Sequence, residues 1–171
     1  IKGLAYFTEK KIDSAIEIFL EVLKLEKNKN GITHSYLALC YEENRNLDKA
    51  KEYHNKAIKI NSKNDLVLKN YANFFYFIGD VENAQNFYKQ AIKVNKFDFD
   101  TKYFLSLLQL FKTDFNEGWK NFEHRWLAET FSTKEEIINL PLFRNNIDQK
   151  KIYIWGEQGI GDQIIFARFF K

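Results

Sequence analysis

The sequence predicts an all-α array of antiparallel helix pairs, followed by the first strand-turn-helix unit of an α/β domain. Three observations carry this reading. Small and large residues recur in register at a period of 34 residues, and within each copy the apolar residues fall at helical spacing. Three of the seven glycines, Gly156, Gly159 and Gly161, lie within six residues near the end, between two apolar runs in "KIYIWGEQGIGDQIIFARFF". A chain of 171 residues with 45% hydrophobic residues has enough apolar material for a buried core.

The copies follow one another along the chain. In the first, Ala15 has Val22, Phe19, Tyr6 and Gly3 at +7, +4, −9 and −12. The second and third are the clearest: Ala50 has Ala57, His54, Tyr41 and Ala38 at those offsets, and Ala84 has Ala91, Tyr88, Phe75 and Ala72. The fourth is anchored on Gly118, with Arg125, Phe122, Gln109 and Ser106. Small residues at fixed places let two helices approach closely, while the large ones fill the space beside them. Asn46, Asp80 and Asp114 stand where second helices start, as side chains that accept free backbone N–H groups, and Asp114 with Glu117 approximates a capping box.

This period and small/aromatic pattern resemble the tetratricopeptide repeat family over residues 1–128, about four repeats with the first truncated. The usual proline at the unit end is replaced by Ser62 and Lys96, and the usual glycine between helices occurs only as Gly79. The resemblance implies a right-handed superhelix whose concave groove, lined mainly by first helices, receives a peptide or protein partner. By register, Leu66, Lys69, Asn73 and Tyr76 of one repeat and Tyr103 and Leu107 of the next are expected to face it. Lys69 and Asn73 match half of the clamp that some family members use for a C-terminal carboxylate. The next repeat offers Phe104 and Leu107 where the other half belongs, so a clamp is not expected.

Charge and composition exclude several other functions. The 26 basic and 23 acidic residues interleave along the chain, which argues against a dedicated nucleic-acid surface, and the lysines read as a solvated face. The single cysteine, Cys40, allows no internal disulfide framework and reads as a buried thiol. Apolar runs such as "FFYFI" fall well short of the roughly 18 residues that cross a bilayer. The chain opens on Ile1 inside a periodic pattern, so an upstream targeting segment stays open and a cytoplasmic location is the default expectation. His34 and His54 occupy packing positions, and His124 lacks a second histidine at the i, i+4 spacing of a helical metal site, so no metal and no cofactor is assigned.

In "DFNEGWKNFEHRW", Trp119, Phe122 and Trp126 make an apolar stripe that ends the array or docks something downstream. Residues 129–150 read as a linker, with a helix start at Ser132 and Glu135 and the only proline, Pro141. From residue 151 to 171 the chain reads as the start of a Rossmann-like domain. "IYIW" is a short β-favouring run, "GEQGIG" a turn, and Asp162 opens a helix. The order G-x-x-G-x-G is neither the dinucleotide fingerprint nor a P-loop.

Repeats, a "GWxxFExRW" helix, a proline-containing linker and "GEQGIGD" together resemble bacterial tetratricopeptide proteins whose C-terminal half is similar to heptosyltransferase-type glycosyltransferases of the GT-B type. The resemblance implies an inverting, metal-independent sugar transfer with Asp162 as catalytic base. Asp162 is equally the residue type of a helix N-cap. Glu157, Gln158, Gly159 and Gly161 are the implied substrate contacts, and the nucleotide-sugar donor would bind a second domain outside these residues, so the chain alone is expected to be inactive. Two functions therefore stand side by side: a repeat scaffold joined to a glycosyltransferase, and a non-catalytic scaffold or adaptor that binds peptides or partner proteins.

Overall fold

The computed structural model describes residues 2–130, which pack as one unit. Every element in it is helical: α1 (Lys2–Thr8), α2 (Ile12–Leu25), α3 (Gly31–Glu43), α4 (Leu47–Ile60), α5 (Asp65–Phe77), α6 (Val81–Val94), α7 (Phe99–Phe111), α8 (Phe115–Phe122) and a 3-10 segment, Glu123–Leu127. They associate as successive pairs, α1 with α2 through α7 with α8, and each pair packs on the next. The all-helical repeat expected over this range is therefore what forms.

Side-chain caps start α3 to α7 in the same way. The side chain of Asn46 accepts from the backbone N–H of Lys49 and that of Asp80 from Asn83, both at 3.1 Å, as expected of N-caps. Asn30, Asn64 and Asp98 do the same for the first helices α3, α5 and α7. Asp114 sits at the N-cap of α8 but its side chain makes no capping bond. The expected capping box does not form, and Glu117 lies 3.6 Å from Lys120.

The turns inside the four pairs also repeat. Lys10, Arg45, Gly79 and Thr113 all take positive φ, between 57° and 79°. The residue after each one donates its N–H back to the carbonyl of Tyr6, Tyr41, Phe75 or Gln109 at 2.9 Å, which is the Schellman closure of a helix C-terminus.

A third repeated device, in the second, third and fourth pairs, joins the end of the second helix to the start of its partner. Asn61 Oδ1 accepts from the N–H of Gly31 at 2.8 Å, and Asn95 Nδ2 donates to Asp65 at 2.8 Å. Thr130 donates from both its N–H and its hydroxyl to Asp100, at 2.9 and 2.6 Å. The Gly31 N–H is one of the donors that a helix start leaves unpaired, and the other two contacts engage a carboxylate in the first turn of the first helix.

The core sits at the close helix contacts. Ala15, Ala38, Ala50, Ala57, Ala72 and Ala84 are fully inaccessible, and Ala91 is nearly so. Tyr71, Phe74, Phe75 and Tyr88 fill the space around Ala50, Ala72 and Ala84, and a second cluster around Ala15, Phe19, Leu37 and Cys40 joins α1, α2 and α3. In the fourth copy the place of Ala57 and Ala91 is taken by buried Arg125, within the 3-10 segment that follows α8. A large side chain at a position that elsewhere holds a methyl group coincides with the end of regular α-helix there.

Candidate functional site: the face of the first helices

Capping by Asn64 sets the phase of α5, and its two faces then differ sharply. Val67, Leu68, Tyr71, Ala72, Phe74 and Phe75 point into the core. Leu66, Lys69 and Asn73 are half-buried on the other side, and Tyr76 is exposed. On α7, Tyr103 and Leu107 are likewise half-buried. Phe104 connects the two helices, with its ring centroid 6.5 Å from that of Tyr76, 6.3 Å from Tyr88 and 5.7 Å from Tyr103. The six residues expected from register thus lie on adjacent first helices, as a strip of aromatic and aliphatic surface with few polar groups.

Those polar groups are engaged by neighbours. Lys69 Nζ donates to Asp98 Oδ2 at 2.8 Å, across the boundary between repeats. Asp98 at the same time caps α7 by accepting from the N–H of Thr101 at 2.9 Å. Burial alone would raise the Asp98 pKa, but the hydrogen bonds from Lys69 and Thr101 and the lysine charge outweigh it and hold the carboxyl below its ordinary value. Asn73 Oδ1 accepts from the hydroxyl of Tyr88 at 2.7 Å. Burial keeps that phenol protonated by pushing its pKa up.

The same holds one repeat on either side. Glu42, the counterpart of Tyr76, contacts His54 Nε2 at 2.6 Å, and Asp100, the counterpart of Leu66, is held by Thr130. With Lys69 neutralised, this face offers no free cation at the clamp position for a terminal carboxylate.

The histidines are structural in their surroundings. His34 is buried, with Nδ1 2.7 Å from the carbonyl of Asn30. His54 is fully buried, stacked 5.0 Å from Tyr71, and its Nδ1 has no partner. His124 lies 5.8 Å from Phe99, and burial, then the charge of Lys102, lowers its pKa. Among the described residues no group of His, Cys, Asp or Glu is placed to hold a metal ion, and no helix is long and apolar enough to cross a membrane. Cys40 is buried, and burial pushes its thiol up to about 12. Sequence reasoning missed Asp98 as the partner of Lys69; its place just before a first helix identifies it as a cap, but not which lysine reaches it.

The linker beyond Thr130, the strand-turn-helix expected at 151–171, and the residues Asp162, Glu157, Gln158, Gly159 and Gly161 lie outside the described residues.

Comparison with known proteins agrees with the helical array. The TPR repeat-containing protein MJ1428 of Methanocaldococcus jannaschii is 28% identical over 144 residues, covering 82% of this chain and 25% of that protein. The heat shock protein STI1 of Saccharomyces cerevisiae is 27% identical over 94 residues, covering 55% of this chain and 16% of that protein. The chain thus spans a quarter or less of the length of these relatives. Among solved structures, the Naa15/Naa10 complex bound to HypK-THB superposes with a TM-score of 0.67 over 75% of this chain and 19% of that one, at 19% identity, a likeness of fold. The family model of the SusR N-terminal TPR domain matches residues 1–98, more than half of the sequence, and the chain belongs to that tetratricopeptide family.

Proposed function

We propose that the chain is a protein-interaction scaffold whose first-helix face, centred on α5 and α7, receives an internal, apolar segment of a peptide or partner protein. One observation carries the reading. Tyr76, Leu66, Tyr103 and Leu107 stay partly open on that face, while its charged groups Lys69, Asp98, Glu42 and Asp100 are each engaged within the protein. An aromatic and aliphatic strip with neutralised charges favours apolar anchors over a free carboxylate terminus. Stacked pairs of this family wind into a right-handed superhelix, which would place the strip on its concave side. The reading includes neither nucleic acid nor a membrane span.

Selection from a displayed peptide library tests it. Selected peptides should bind the chain and lose roughly tenfold or more in affinity on Tyr76→Ala with Leu107→Ala, as expected for central interface anchors. Peptides that bind the double variant equally well would place the site elsewhere.

A second reading rests on the motif "GEQGIGD" at 156–162. Under it the repeats recruit or orient an acceptor for an inverting sugar transfer from a nucleotide-sugar, with Asp162 as base and Glu157, Gln158, Gly159 and Gly161 near the acceptor. It is tested in a protein that carries this motif together with a donor domain. There, Asp162→Asn should fold normally, because asparagine caps a helix about as well, and lower turnover by about 10²- to 10⁴-fold. Wild-type turnover in a folded Asp162→Asn protein would reduce Asp162 to a cap.

A further inference from the structure

Where second helices meet neighbouring first helices, the array carries two clefts. Between α2 and α4 lies a cleft of about 510 Å³ with Leu20, Leu23 and Ile60 in its floor and Lys24, Lys56 and Lys59 around it. Two repeats further along, beside α6, lies a cleft of about 350 Å³ with Ile92 and Leu105 in its lining and Lys89, Lys93 and Lys102 around it. The two share four positions of the repeat, where Leu23 corresponds to Ile92, Lys24 to Lys93, Leu20 to Lys89, and His34 to Lys102, and differ at the others. Neither cleft has an aspartate or glutamate in its lining.

Lys24, Lys59 and Lys93 hold one and the same place, the last turn of three consecutive second helices. A lysine there offsets the partial negative charge of a helix C-terminus, and that accounts for those three. It does not account for Lys89 and Lys102, for the apolar floors, or for the missing carboxylates. Lys56 is paired with Glu52. Lys24, Lys59, Lys89 and Lys93 form no ion pair among the described residues, so their charges face solvent.

We propose that this ridge of second helices is a binding surface for an acidic polypeptide segment, whose apolar side chains enter the two clefts while its carboxylates meet the lysine row. Charge complementarity selects the sign of the occupant. The aliphatic floors select its class. A nucleic acid would satisfy the lysines through its phosphates, but its bases need aromatic platforms, and the only ring in the first cleft besides His34 is Tyr53, which already lies under Lys56 at 4.6 Å. None of the cleft residues is among the six of the first-helix strip, so the proposal does not depend on what binds there.

The test is fluorescence anisotropy with the 171-residue chain and a labelled synthetic peptide of glutamates with interspersed leucines. Three further probes are used: the same peptide with lysine for glutamate, one with serine for leucine, and a single-stranded oligonucleotide. The glutamate-leucine peptide should bind, and binding should weaken with added salt. Lys24→Gln with Lys59→Gln and Lys93→Gln should reduce affinity by about tenfold, with helicity unchanged by circular dichroism. Ile60→Ser, which leaves every charge in place, should also weaken it. No binding of the glutamate-leucine peptide, equal binding to the triple variant, or equal binding of the serine-substituted peptide or the oligonucleotide would each overturn the proposal.

Discussion

Thr113 shows what the fold demands of single residues. It ends α7 with φ of 62°, in the left-handed region that a β-branched side chain resists, at the place in the repeat where Gly79 adopts φ of 79°. Thr113 is exposed and its backbone already makes the turn bond to Leu110 at 3.0 Å, so a glycine there keeps every contact and relieves the backbone. Relief exceeds the added freedom of the unfolded chain, and Thr113→Gly should stabilise the protein by about 0.5 to 1 kcal/mol. Gly79→Ala should destabilise it by a similar amount, although an added Cβ meets nothing within 4 Å. Urea unfolding of both variants checks the pair, and shifts of the same sign would contradict the shared-turn argument. Only Gly79 of these four turn positions was legible in the sequence. At Lys10, Arg45 and Thr113 the conformation is imposed by the packing of two helices on each other, and the residue type carries no trace of it.

Between elements, the contact that joins α5 to the start of α7 has a defined dependence on pH. Lys69 and Thr101 hold Asp98 below its ordinary pKa despite burial. A carboxyl depressed in the folded state adds stability that is fully present above its unfolded value of about 3.9, and that is lost as pH falls through the lower folded value. Lys69→Met removes the charge and the 2.8 Å hydrogen bond but keeps much of the aliphatic stem. At pH 7 it should cost roughly 1.5 to 3 kcal/mol, the range for a hydrogen bond to a charged, largely buried group. The difference from wild type should narrow below about pH 3.9, where Asp98 protonates in the unfolded chain and then in the folded one. Denaturant titrations at pH 7 and near pH 3 measure it, and an equal difference at both pH values would mean that Asp98 is not what Lys69 serves. Register placed Lys69 on a first helix, whereas Asp98, the cap of the next one, went unread. That they meet depends on the offset between successive pairs, which the period does not encode.

Over the whole array, the part that was legible is the part where volume is fixed. At Ala50, Ala57, Ala84 and Ala91 two helices touch and leave almost no accessible surface, so the alanines recur and reveal the period. Register also supplied the six residues expected on the first-helix face, of which Leu66, Lys69, Asn73, Tyr103 and Leu107 are half-buried and Tyr76 is exposed. The lysine-lined clefts did not follow from it, because which lysines border a cleft depends on how successive pairs stack, which the period does not encode. Ala84 lies in the cluster that joins α4 to α7, among Ala50, Tyr71, Ala72 and Tyr88. Ala84→Leu must displace those rings, and should cost about 1 to 3 kcal/mol, whereas Lys51→Leu on the exposed surface should change little. Since each pair touches mainly its neighbours, the strain should stay local. Amide exchange should accelerate first in α5 and α6, while the separate cluster around Ala15, Phe19 and Leu37 keeps its protection against local opening. An unchanged unfolding midpoint in Ala84→Leu would mean that the helices do not meet where the repeat places them.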